Sequence, residues 1–219
     1  MISILIPIYN GIEYIDESVT SVLDQSYKDW ELIIGINGHL EGSMVYKMAK
    51  NYEDLDPRIR VYDMFEIKGK SNALNAMIQY CKYDWIAILD VDDIWLPTKL
   101  EKQVPFMDRF DIVGTKCVYF ERLEGTVPKI PVGDISDFDF MTVNPMINSS
   151  ALIKKTLTIN YGWNSAYDGV EDYDLWLQLR KNGKLFYNVD EVLVKHRIHP
   201  SSAFNSQDQS AKLKEILSR

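Results

Sequence analysis

The chain is 219 residues long, 46% apolar and 26% charged, with a net charge of −8. That acidity argues against nucleic acid, which calls for a basic face, and against an anionic membrane surface as the main partner. Two well-separated cysteines, Cys81 and Cys117, argue against a disulfide scaffold and fit a reducing compartment, and three histidines are too few for a multi-histidine zinc site.

The apolar run at residues 2–8 lacks a basic leader region and contains Pro7, so it reads as a strand buried on both faces rather than a signal peptide. After the turn Tyr9-Asn10-Gly11, apolar residues at Ile12, Ile15, Val19, Val22 and Leu23 mark a helix. A second buried strand over 30–36 ends in the turn chemistry of Asn37-Gly38. A helix over 43–52, a strand over 58–62, a helix over 72–81 and a strand over 84–89 follow. This alternation predicts an α/β fold built on a doubly wound, mostly parallel sheet with right-handed crossovers.

Beyond a helix at 97–106 the pattern changes to short strands and loops. Strands are expected at 111–120, 127–131 and 148–153, with an acidic, aromatic loop at 134–140 between the last two. A helix over 171–181 stops at Asn182-Gly183. A strand or hairpin over 185–194 precedes a polar segment at 196–205, and a weakly amphipathic helix covers 209–219. No stretch approaches the ~20 apolar residues of a membrane span. The expectation is one domain over 1–219 with halves at 1–95 and 96–205 and a helical tail at 206–219, soluble and cytoplasmic, peripheral at a membrane at most.

In open α/β sheets, ligands bind beyond the carboxyl ends of the strands. Those ends carry Pro7-Ile8-Tyr9-Asn10, Asn37-Gly38-His39, Asp63 and Asp90-Val91-Asp92-Asp93, and none contains a glycine-rich phosphate loop. Without such a nest, a diphosphate must be neutralised by cationic side chains or by a metal. The three acids after the buried run Trp85-Ile86-Ala87-Ile88-Leu89 suit Mg2+ or Mn2+, which prefer oxygen ligands, although acids at a strand-to-helix turn also occur as solvated turn residues.

Glu171-Asp172 open the helix marked by Leu175, Trp176, Leu177 and Leu179. Acids there either complement the helix dipole or supply a general base for an acceptor hydroxyl. His196-Arg197-Ile198-His199-Pro200-Ser201-Ser202 places two histidines and an arginine in one polar segment, either as surface residues or as metal and phosphate ligands.

Taken in order, these pieces resemble the inverting glycosyltransferases of family 2, with the GT-A fold. The resemblance rests on Ser3-Ile4-Leu5-Ile6-Pro7-Ile8-Tyr9-Asn10, Ser21-Val22-Leu23-Asp24-Gln25-Ser26-Tyr27, Leu74-Asn75-Ala76, Ile86 through Asp93, Glu171 through Trp176, and His196-Arg197-Ile198-His199, and covers about residues 2–202. It implies that 1–95 binds a nucleotide sugar and that 96–205 serves the acceptor and catalysis.

Pro7 and Tyr9 would border the base and ribose, joined in the nucleotide-sugar site by Asn37, Asn75 and the loop residues Asp90, Val91 and Asp92. Lys68 or Lys70 would supply the cation that precedes Asn75. Asp92 would ligate Mn2+ or Mg2+, with Asp90 as a further metal candidate nearer the ribose and His199, or alternatively His196, helping to hold metal and diphosphate. In the catalytic pair Glu171-Asp172, Asp172 would be the base. Family members commonly end the second strand with two acids, whereas this chain has Ile36-Asn37, where only Asn37 can hydrogen-bond a pyrimidine edge.

The implied reaction is transfer of a sugar from a nucleoside-diphosphate sugar, a UDP-sugar above others, to a hydroxyl of a glycan, glycolipid or glycoprotein. Acceptor contacts are expected near Asn148, Trp163 and Tyr167, with Tyr119, Phe138 and Phe140 as further aromatics that either stack on sugar or pack the core. The competing readings are a catalytically silent nucleotide-sugar-binding module and a sugar nucleotidyltransferase.

Overall fold

A computed structural model describes residues 1–200 and 208–218 of the protein. Its first half alternates strand and helix: β1 (Ile2–Ile8), α1 (Ile15–Leu23), β2 (Trp30–Asn37), α2 (Met44–Lys50), β3 (Ile59–Met64), α3 (Lys70–Met77) and β4 (Trp85–Ile88). Every residue of β1 and β2 is buried, as their apolar sequences require of strands covered on both faces. The strands pair in parallel in the order β3-β2-β1-β4, with Ile6 opposite Ile34 and Leu5 opposite Ile88.

The second half extends the same sheet with mixed directions. It comprises β5 (Ile94–Trp95), α4 (Lys99–Gln103), β6 (Ile112–Glu121), β7 (Gly133–Asp134), β8 (Leu152–Lys154), α5 (Lys155–Asn160), α6 (Glu171–Lys181), β9 (Phe186–Ile198) and α7 (Ser210–Ile216). From β4 the order continues β8-β6-β9-β5, with β7 beside β9. β8 runs antiparallel to β4 and β6, β6 and β9 are parallel, and β5 is antiparallel to β9. The ends of β1, β2, β4, β6 and β9 therefore share one edge.

Helices cover both faces. Val19 and Val22 of α1, Ala49 of α2 and Leu100 of α4 pack against Ile4, Ile6 and Ile34 on one side. Leu74 and Met77 of α3, Leu157 of α5 and Leu175, Trp176 and Leu179 of α6 pack against Leu5, Ile33 and Ile88 on the other. None of the described helices is long and apolar enough to cross a membrane.

Three details differ from the sequence pattern. Residues 127–131 form no strand, since the turn at Leu123–Thr126 pairs back to Tyr119 and leaves the chain irregular before β7. The expected strand at 148–153 opens as a 3-10 turn, Asn148–Ser150, because Ile147 and Asn148 carbonyls accept from Ser150 and Ala151. His196, Arg197 and Ile198 are the end of β9, held in register opposite Tyr119, Phe120 and Glu121, rather than a polar loop. Ser201 and Ser202, with the rest of that segment through 205, lie outside the described residues.

Among the described residues, the buried cation Lys99 has no carboxylate paired with it. Lys99 is fully buried, its Nζ 2.8 Å from Gln103 Oε1 and 3.9 Å above the Trp95 ring, and burial holds its ammonium well below the ordinary lysine range. The unfolded chain thus binds a proton that the folded chain resists, so stability rises with pH up to the unfolded lysine pKa. Lys99→Met is expected to raise Tm at pH 7, by about 2–4 °C per kcal/mol recovered, and to flatten that pH dependence. A lower Tm at pH 7 in thermal melts would show that the Gln103 bond outweighs the burial cost.

Candidate active site

The acids after β4 are arranged by strand pairing. β5 begins directly after Asp93 and places Ile94 opposite Lys195 and Trp95 opposite Val194, so Asp93 meets His196. Asp93 is fully buried, with His196 Nδ1 3.0 Å from both carboxylate oxygens and Arg197 N donating at 2.9 Å. Burial alone would raise its carboxyl, but the His196 charge and the hydrogen bonds from His196, Ser149 and Arg197 hold it below the usual range. Burial would lower the His196 imidazole, yet Asp93 pushes it up to about 9.

Arg197 locks the loop from the side. Its guanidinium lies between the rings of Tyr14 (4.2 Å) and Phe120 (4.4 Å), donates from Nε to Asp92 O at 2.8 Å, and pairs with Glu17 and Glu121. A cation flanked by two aromatic faces and two carboxylates has little freedom to move.

Asp92 then faces His199, Oδ2 to Nε2 2.8 Å. Burial, with the charges of Asp93 and Asp90, pushes the Asp92 carboxyl up to about 6. Asp90 turns the other way. Its carboxylate pairs with Lys70 Nζ at 2.6 Å and accepts from Asn148 Nδ2 at 3.2 Å, while Asp90 N donates to Ser149 Oγ at 3.1 Å.

Lys70 also lies 3.1 Å from Glu171, and these acids raise its ammonium well above the ordinary range despite the opposing effect of burial. Glu171 is buried and accepts from Gly169 N at 2.6 Å. Asp172 beside it is pushed up to about 7 by burial and the Glu171 charge, against the opposing pull of Lys70. Among the described residues its carboxylate accepts a single hydrogen bond, from Tyr173 N at 2.7 Å. The Asp172 carboxylate therefore retains accepting capacity.

The remaining expected residues divide clearly. Pro7 is buried in β1, while Tyr9 is 57% exposed at its end, its ring resting on Gly38 where an added Cβ would stand 2.9 Å away. His39 Nε2 lies 2.5 Å from Tyr9 O. Asn37 is buried, with Nδ2 3.5 Å from Gly69 O, and Ile36 lies wholly in the core. Of the two candidate lysines, Lys70 meets the acids and Lys68 is exposed, outside the cluster.

Asn75 exchanges hydrogen bonds with the Trp163 backbone, 2.7 and 2.9 Å, and so braces the chain instead of facing the acids. Val91 turns its side chain into the core. Trp163 and Tyr167 are each 3% exposed and belong to packing clusters, as does Phe140, so their rings are unavailable for stacking on a sugar. Asn148 is buried and holds Asp90. Sequence reasoning missed the Asp93–His196 pair and the hydroxyl of Ser149, whose only signals were a third acid after the D-x-D and a Ser-Ser pair.

Asp92 and His199 offer an oxygen and a nitrogen at one point, next to further negative charge, which suits a hard divalent cation. Among the described residues no group of three or more His, Cys, Asp or Glu converges as a full ligand set. An ion held here would therefore take its remaining ligands from substrate phosphates and water, a common arrangement for Mg2+.

The parallel half, the mixed extension and the acids at the shared strand edge define the GT-A glycosyltransferase fold. The model of the family described as Glycosyl transferase family 2 matches residues 3–169. The protein belongs to that family.

The chain is 32% identical over 213 residues to the O-antigen biosynthesis glycosyltransferase WbnJ of Escherichia coli, covering 94% of this chain and 83% of that one. It is 28% identical over 223 residues to the Escherichia coli UDP-Glc:alpha-D-GlcNAc-diphosphoundecaprenol beta-1,3-glucosyltransferase WfgD, covering 99% of this chain and 82% of that one. Among solved structures, residues 1–349 of S. aureus TarS in complex with UDP-GlcNAc superpose with a TM-score of 0.78 at 15% identity. That match covers 98% of this chain and 64% of TarS 1–349, so the chain spans less than two thirds of it. The mannosyltransferase PcManGT of Pyrobaculum calidifontis, in complex with GDP-Man and Mn2+, gives 0.72 at 15% identity, over 92% of this chain and 58% of that one.

The Asp93–His196 pair has a defined pH window. The raised imidazole contributes fully below its unfolded value of ~6.5 and is lost as pH rises through about 9. The depressed carboxyl contributes above its unfolded value of ~3.9 and is lost as pH falls below it. Asp93→Ala, which leaves the imidazole facing an empty buried site, is expected to cost about 3 kcal/mol, or roughly 6–12 °C in Tm, between pH 4 and 6.5. The deficit relative to wild type should shrink above pH 9; an equal deficit at pH 10 would argue that the pair contributes by packing alone.

Proposed function

We propose that the protein transfers a sugar from a nucleoside-diphosphate sugar, a UDP-sugar above others, to an acceptor hydroxyl with inversion, using a divalent metal and Asp172 as general base. The observation that supports this reading best is the placement of Lys70 between Asp90 and Glu171, with the Asp92–His199 pair joining the ends of β4 and β9 and Asp172 next to Glu171 in the helix. Diphosphate, metal and base functions thus fall within one cluster. The names of the relatives favour uridine: WfgD uses UDP-Glc, and TarS is seen with UDP-GlcNAc. The acceptor is a glycan, glycolipid or glycoprotein, and WfgD, whose name specifies a lipid-linked sugar diphosphate, makes a lipid-linked glycan the first choice.

In this reading Tyr9 presents an exposed ring to the base, while the buried Asn37 and Ile36 contribute shape only. Lys70 meets the diphosphate with an ammonium kept charged by two carboxylates. Asp92 and His199 would hold Mn2+ or Mg2+, which when bound offsets charge on the leaving nucleoside diphosphate. Asn148 and Ser149 orient Asp90 from below.

Asp172 takes the proton from the acceptor hydroxyl as that oxygen attacks the anomeric carbon opposite the leaving group. One displacement inverts the centre, and no covalent enzyme intermediate is required. A carboxyl raised to about 7 is a stronger base than an ordinary aspartate and is still largely ionised just above neutrality.

The test is a panel of UDP- and GDP-sugars incubated with Mn2+ or Mg2+, with and without lipid-linked and free glycan acceptors, scored for nucleoside diphosphate release. Release from a UDP-sugar that stops with EDTA is expected; formation of nucleoside triphosphate and sugar 1-phosphate once pyrophosphate is added would instead identify a nucleotidyltransferase, and nucleotide binding without turnover a silent module. Asp172→Asn should lower kcat by about 10²–10⁴-fold while UDP affinity is kept. In wild type, kcat/KM should climb with pH through a midpoint near 7, the carboxylate being the active form. A near-normal rate for the Asn variant with the same product would remove Asp172 from the role of base.

A further inference from the structure

Helix α3 begins at the residue on which the site depends, Lys70, yet it has no cap of its own. Its N-cap is Gly69, at φ +85°, which has no side chain to accept from the exposed N–H groups of the first turn. The missing acceptor comes from 97 residues away. Asp168 Oδ1 accepts from Ser71 N at 3.0 Å and also from the Ser71 hydroxyl. Asp168 Oδ2 stands 2.5 Å from where a Cβ on residue 69 would be, so only glycine admits the carboxylate.

Asp168 sits three residues before Glu171, in the corner that leads into α6. Gly169 N, next in the chain, donates to Glu171 Oε2. One corner therefore grips both ends of the Lys70 bridge: its side chain holds the start of α3, and its backbone holds the carboxylate that Lys70 faces. The corner is braced from outside by α7. Lys212 Nζ donates to Asp168 O at 2.6 Å, the Tyr167 hydroxyl donates to Glu215 at 2.6 Å, and Ile216 is buried against Tyr167, Val170 and Tyr173. α7 and Glu171 both lie beyond the residues that the family model matches.

We infer that Asp168 is a positioning residue, capping α3 from across the molecule and thereby setting the Lys70 ammonium against Asp90 and Glu171, with α7 as the brace of that corner. Asp168 touches none of the reacting groups; it acts through Lys70. The functional consequence rests on the nucleotide-sugar reading above, whereas the structural coupling can be read without substrate.

The experiment compares Asp168→Ala, Asp168→Asn, Lys70→Met and the double variant Asp168→Ala/Lys70→Met in the full chain. Asp168→Ala is expected to weaken UDP binding and lower kcat/KM by about 10–100-fold, the size of effect that follows a small misplacement in a site. Asp168→Asn, which keeps a capping oxygen, should recover to within a few-fold of wild type. In the double variant the Asp168 change should add little to Lys70→Met, because both act through one ammonium.

Amide hydrogen exchange supplies the readout that needs no activity: Asp168→Ala should speed exchange at residues 70–73 and 169–172 and leave α1 unchanged. Wild-type UDP binding and kcat/KM in Asp168→Ala would overturn the proposal, as would equal loss in the Asn variant, full multiplication of the two single effects, or unchanged exchange at 70–73. If wild type bound no nucleotide and transferred no sugar, the functional reading would fail, while faster exchange at 70–73 and 169–172 in Asp168→Ala would still establish the trans cap.

Discussion

Asp90, Asp92, Asp93, Glu171 and Asp172 crowd one edge of the sheet, and a cluster of like charges survives burial only where cations answer it. Lys70 answers Asp90 and Glu171, His196 answers Asp93, and Arg197 pins the Asp92 backbone. The cations arrive from two distant elements, α3 and the end of β9, so the site assembles only when those elements pack. Two carboxyls of the cluster stay raised, Asp92 at about 6 and Asp172 at about 7. In the proposed reaction the first would hold the metal and the second would serve as the base.

The surrounding fold serves this concentration of charge. β1 and β2 are buried on both faces and make a rigid floor, so the strand ends hold their spacing without help from the loops. β8, inserted antiparallel between β4 and β6, sends the chain back at Asn148–Ser150, where Asn148 and Ser149 reach Asp90. Gln103 extends the support by donating to Val113 O and Ser150 O, and Trp95 donates to Ser149 O. Among the described residues these buried polar groups, Asn148 Oδ1 excepted, are satisfied in one connected network, which favours a single loop geometry over several.

Much of the first half was legible along the chain. Apolar runs of strand length, separated by helical stripes, are local signals, and β1 through β4 appear in the expected order and direction. The acids after β4 and at the start of α6 could be singled out because each follows a readable element. The second half was harder because its strands are short and its pairings distant. Residues 127–131 have strand composition but no paired strand among the described residues, and the polar sequence from 196 suggests a loop although His196 and Arg197 belong to β9, paired with β6.

Residue roles separate in the same way. Lys68 and Lys70 are indistinguishable in sequence; the left-handed turn at Gly69 and the start of α3 decide which one faces the acids. Trp163 and Tyr167 have surfaces suited to sugar, yet burial against α3, α6 and α7 makes them packing residues. By itself the sequence determined the alternation of elements, the strand ends that carry acids and the family they resemble, because periodicity and turn chemistry act over a few residues. Only the tertiary structure decided which cation meets which carboxylate. The pairs Lys70–Glu171, Asp93–His196 and Ser71–Asp168 join residues about a hundred apart, and packing rather than any local preference brings them together.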